Sequence, residues 1–112
     1  MGKFDDLVAK YHADSKKLRL GLSEDLIRKV AKGCGPSIYS KDASKVSGTD
    51  PAELARVKKN YLMKKLGLKD DPKLDKALSA AMEKMGKGNR NKWRVLVYAQ
   101  LCKKFKKESV YK

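Results

Sequence analysis

Trp93-Arg94-Val95-Leu96-Val97-Tyr98-Ala99-Gln100-Leu101-Cys102 is the stretch whose reading decides the fold. On a helix, its apolar residues Trp93, Val95, Leu96, Val97, Tyr98, Ala99, Leu101 and Cys102 cover nearly every direction around the axis. A helix that is apolar all round is a buried one. The reading therefore predicts a helix from near Asn89 or Asn91 to about Phe105, at the centre of the domain, with the rest of the chain packed about it. A strand over Trp93 to Tyr98 is the competing reading. It fails because no second strand-like run exists to pair with it.

Working outward, the periodicity stays helical and punctuation divides the chain into about five segments. Phe4, Leu7, Val8 and Tyr11 fall at i, i+3, i+4 and i+7, one stripe of a first helix that Leu18 extends. Gly21 breaks it. Ser23 reads as the N-cap of a second helix, with Glu24 and Asp25 in its first turn and Leu26, Ile27 and Val30 inward. That helix is expected to stop near Gly33. Asp50 as N-cap, Pro51 at the first helical position and Glu53 at the third resemble a capping box. The third helix then carries Leu54, Val57, Tyr61 and Leu62 and closes at Gly67. Asp71-Pro72 repeats the signal for a fourth, with Leu74, Leu78, Ala81, Met82 and Met85 buried and Gly86 at its end. Residues 33–50 read as an ordered loop with at most one helical turn, pinned by Ile38, Tyr39 and Val46. Such a loop is long for a small domain and is either packed or functional. Residues 106–112 form a polar tail in which Val110 and Tyr111 could dock.

The fold class expected is therefore all-α, a single compact domain over residues 1–112, about five helices around a buried C-terminal one. A chain of 112 residues supports one core and no more. With 41% hydrophobic residues it is too apolar for a disordered tail, and its 37% charged residues mark a crowded ionic surface. The longest apolar run, Val95 to Ala99, is far short of the roughly 20 residues that cross a bilayer, so no membrane is expected. Acids at Asp5 and Asp6 leave no signal-peptide core, and Asp6 fails the myristoylation pattern after Met1-Gly2. Cys34 and Cys102 then read as free thiols in a reducing, cytoplasmic setting.

Several pieces also carry a resemblance. They are Gly35-Pro36-Ser37-Ile38-Tyr39 with Lys41-Asp42-Ala43-Ser44, Glu53-Leu54-Ala55-Arg56-Val57-Lys58, and Lys64-Lys65-Leu66-Gly67-Leu68. Asn89-Arg90-Asn91-Lys92 and Lys107-Glu108-Ser109-Val110-Tyr111 complete the set. Together they resemble a small bacterial family catalogued only as a domain of unknown function. The resemblance implies a compact helical domain, and brings no activity, cofactor or catalytic residue with it.

Function must then be sought in the charge. Lys and Arg number 28 against 13 acids, a net +15. Residues 51–70 and 89–112 together carry +11 of it. On the third helix Arg56, Lys59, Asn60 and Lys64 lie opposite the apolar stripe. Around the start of the fifth, Lys87, Arg90, Lys92 and Arg94 crowd together. Gly86-Lys87-Gly88-Asn89-Arg90-Asn91-Lys92 combines glycines, cations and a helix N-terminus, the ingredients of an anion site. It lacks the Walker spacing, and the same residues serve as ordinary caps and turns. The leading expectation is a non-catalytic domain whose Arg56, Lys59, Lys64, Lys87, Arg90, Lys92 and Arg94 contact RNA or DNA phosphates without sequence specificity. A protein-interaction module using the 33–50 loop is the second reading, and an enzyme with an unrecognised site the third. Catalysis has little to stand on. His12 sits beside the first apolar stripe with no triad partner, and Cys34 reads as a small loop residue. One histidine and two remote cysteines make no zinc pattern, and no cofactor box is visible.

Overall fold

A computed structural model describes residues 2–40, 43–46, 50–86, 89 and 92–111. Helix α1 spans Lys3–Lys17, α2 Glu24–Cys34, α3 Pro51–Val57, α4 Pro72–Met85 and α5 Arg94–Lys104. Short 3-10 turns occupy Gly35–Tyr39 and Glu108–Tyr111, and a π-helical segment, Lys58–Lys65, continues α3 without a break. The fold is all-α, with the fifth helix in the middle. Val95, Leu96, Val97 and Ala99 are fully buried, as is Cys102, and α1, α2 and α4 all pack on this helix. Each of its large aliphatic side chains contributes about 1.5–3 kcal/mol by leaving water. The strand reading fails with it: the segment shows one isolated bridge, Lys45 to Trp93, and then winds into the helix.

The start signals act where the sequence puts them. Ser23 accepts from the Leu26 N–H (3.1 Å), Asp50 from Ala52 (3.0 Å) and Asp71 from Lys73 (2.8 Å). Each satisfies one of the amides that a helix leaves unpaired at its N-terminus. The capping box at α3 does not close, because the Glu53 carboxylate turns away toward two arginines. Helix α5 begins at Arg94, later than Asn89 or Asn91. Asn89 closes the preceding helix instead, its amide donating to the Met85 carbonyl (2.8 Å). Asn91 lies outside the described residues.

The loop reading needs two corrections. Gly33 and Cys34 finish α2, and the chain passes straight into the 3-10 turn. Ile38 and Val46 are buried anchors, but Tyr39 points out, 52% exposed. In the tail Tyr111 docks, its hydroxyl donating to that of Tyr61 (2.8 Å), while Val110 stays exposed.

The π segment answers a pattern in the sequence. Val57, Tyr61, Leu62 and Leu66 are buried, a spacing of four to five residues rather than 3.6. An α-helix would carry Lys64 or Lys65 toward the core. The wider π turn, with the Leu66 N–H bonded to the Tyr61 carbonyl (2.9 Å), brings Leu66 in and leaves both lysines outside.

Candidate functional site

The described cations among those singled out from sequence fall in two regions that the fold joins. Four backbone residues, Ala43 to Val46, run beside the start of α5. The Val46 N–H donates to the Lys92 carbonyl and the Arg94 N–H to that of Ser44, both at 2.8 Å. The Arg94 side chain then ties loop and helices together. Its Nε donates to the Ala43 carbonyl (2.8 Å), Nη1 to the Tyr98 hydroxyl (2.8 Å) and Nη2 to Glu53 Oε1 (2.9 Å). Glu53 also accepts from Arg56 Nη2 at 2.6 Å, so one carboxylate links the α3 strip to the α5 end.

Electrostatics follows from that geometry. Burial works against the Glu53 charge, but the hydrogen bonds from Arg56 and Arg94 outweigh it and hold the carboxyl below its ordinary range. Arg94, largely sheltered from water, is therefore a structural cation, committed to neighbours within the fold. Arg56 keeps 59% of its side chain exposed despite its ion pair. Lys59 and Lys64 are exposed and hold no ion pair among the described residues. Lys58, by contrast, is gripped by Asp70 (2.7 Å) and Asp75 (3.0 Å).

At the α5 end the centre is Trp93. Its Nε1 donates to Asp14 (2.7 Å), and its ring lies 5.5 Å from that of Tyr11. Lys10 and Lys45 stand over the ring at 4.6 and 5.4 Å, positions that favour a cation against the π face. Lys92 donates to the Asn89 carbonyl (2.8 Å). Lys87 and Arg90 lie outside the described residues, as do Gly88 and Asn91. Sequence reading missed Lys10 and Lys45 at this end. Both meet the Trp93 ring only through the tertiary fold.

None of the buried thiol and phenol groups near this site, among the described residues, is activated as a nucleophile. Burial pushes the Cys34 thiol up to about 11, and the Tyr61, Tyr98 and Tyr111 hydroxyls rise for the same reason. All stay protonated at neutral pH. His12 faces Glu24 across 3.8 Å at the rim of α1. Among the described residues, no three His, Cys, Asp or Glu side chains gather as a metal would require. No described helix is long and apolar enough to cross a membrane.

The family model for proteins of unknown function designated DUF2853 matches residues 10–109. The chain belongs to that family. The match takes in every element from the middle of α1 to the start of the last 3-10 turn, so the DUF2853 unit and the helical body are one object. A comparison with curated proteins found no match. The family name assigns no reaction, and any function must come from the DUF2853 surface itself.

Proposed function

We propose that this is a non-catalytic cytoplasmic domain that binds the phosphate backbone of RNA or DNA weakly and without base specificity. One observation carries the reading. Even if every one of the 13 acids neutralised a cation, the net charge of +15 would remain, and the acids are in fact largely committed. Glu53, Asp70, Asp75, Glu24, Asp25 and Asp5 hold ion pairs, while Asp50 and Asp71 cap helices. What remains on the outer side of α3 and the π-helical segment is a set of exposed cations, Arg56, Lys59 and Lys64, joined through Glu53 and Arg94 to the end that carries Trp93. Released counterions drive such contacts whatever the base sequence.

Tyr39 adds a second element. It stands next to Ser40, whose carbonyl accepts from Ser44 (3.1 Å), and Ser44 in turn accepts from Arg94. An exposed aromatic tethered to a cationic end offers an unpaired base a face to stack on.

Titration of labelled duplex DNA and single-stranded RNA, followed by anisotropy at about 50 and about 200 mM salt, tests the proposal. Three phosphate contacts, one for each of Arg56, Lys59 and Lys64, predict weak binding that falls about fortyfold over that range on duplex DNA. Absence of binding at the lower salt overturns it.

A further inference from the structure

The opposite end of α5 carries a feature that phosphate binding leaves unused. Between the α1–α2 connection, α4 and the C-terminal half of α5 lies a trough of about 450 Å³. Its floor is apolar, made by Leu20, Leu22 and Leu101 with Ala77, Ala80 and Ala81 of α4. Lys84, Lys103 and Lys104 form the rim. All three lysines are exposed, and none holds an ion pair among the described residues; Lys103 donates to the Gly21 carbonyl (2.5 Å). Gln100 lies in the wall. Its Nε2 donates to the Ala81 carbonyl (3.4 Å), which sets the way the amide faces. Its Oε1 is buried with no hydrogen-bond partner among the described residues.

We propose that this trough receives a negatively charged amphipathic helix of a partner protein. An apolar floor gives a phosphate chain nothing to bind, whereas the apolar face of a helix fills it. The lysine rim is complementary to acidic residues along the edges of that helix. Ala77, Ala80 and Ala81, spaced i, i+3 and i+4, put methyl groups on this side of α4 before Lys84 closes the face, so a second helix can approach closely along that stretch. The carboxylate of a fatty acid, the other anionic amphiphile of this shape, would meet the lysine rim at one point, whereas a helix carries acids along both of its edges.

The test is selection of displayed random peptides of roughly 16 residues, a little over four helical turns, on the purified full-length protein. Ala80→Trp is used only afterwards, as the comparison on which the selected peptides are measured. Ala80 is exposed, so the indole fills the trough without entering the core; an unchanged circular dichroism spectrum and melting temperature verify this. The expected peptides carry apolar residues at i, i+3 or i+4 and i+7, flanked by Asp and Glu. They bind Ala80→Trp and the pair Lys84→Glu/Lys104→Glu at least about tenfold more weakly than the parent. A selection that yields no binder, peptides lacking that pattern, or peptides that bind Ala80→Trp as well as the parent would each overturn the proposal.

Discussion

The two ends of α5 are both crowded with cations, yet they treat them in opposite ways. At the N-terminal end Arg94 is held by a carboxylate, a phenol and a backbone carbonyl, and Lys10 and Lys45 lie on the Trp93 ring. At the C-terminal end Lys103 and Lys104 meet no carboxylate among the described residues and rim an apolar trough. The positive charge of a segment, counted from sequence, therefore says little about its role. The partners that the fold supplies decide whether a cation builds the structure or remains available to a ligand.

Replacing Arg94 should break the ordered end and produce the largest effect. Arg94→Ala leaves the sheltered Glu53 with Arg56 alone and removes four backbone and side-chain contacts. Urea denaturation at pH 7 should show a loss of about 3 kcal/mol. The pH dependence has a definite sign. Glu53 titrates below its ordinary value of 4.5 in the folded state, so its contribution is present above that pH and is lost as pH falls through the folded value. The gap between parent and variant should narrow on acidification below about pH 4.5 in the same assay. A gap independent of pH would place the damage elsewhere.

The C-terminal end permits a smaller change of opposite sign. Arg19 and Lys106 both adopt positive φ, 56° and 55°, immediately after α1 and α5. Each sits in a Schellman closure: Leu20 and Lys107 bond back to Ser15 and Cys102, where glycine is the usual residue. A side chain in that conformation costs about 1–2 kcal/mol, offset in part by the attraction of a cation to a helix C-terminus. Arg19→Gly and Lys106→Gly should each raise stability by up to about 1 kcal/mol, measured as the shift of the urea midpoint. A loss in both would mean that their charges outweigh the strain.

This contrast also shows how much could be read from sequence. Helix starts were legible at Ser23, Asp50 and Asp71 because a cap acts on amides two or three residues away. The central helix was legible because its apolar residues surround the axis. The start of α5 was not, since the carbonyl that receives the Arg94 N–H belongs to Ser44, half the chain away. Glu53 read as a local cap for the same reason: its arginine partner on α5 is 41 residues distant. The π segment hid in a spacing of four to five that an α-helical template absorbs. Of the candidate cations, Lys59 and Lys64 project as their positions opposite the stripe suggest, whereas Arg94 is turned to structural use by a tertiary contact that no local pattern encodes.

The measurement that bears most directly on the difference between the two surfaces is the slope of log affinity for duplex DNA against log salt concentration. Two triple variants should be compared with the parent: Arg56→Ala/Lys59→Ala/Lys64→Ala, and Lys84→Ala/Lys104→Ala/Lys106→Ala. Each phosphate contact contributes about −0.9 to the slope. The first variant should therefore flatten it by about 2.7, and the second should leave it unchanged. Equal flattening by both, or flattening by the second alone, would contradict the assignment of phosphate binding to the α3 face.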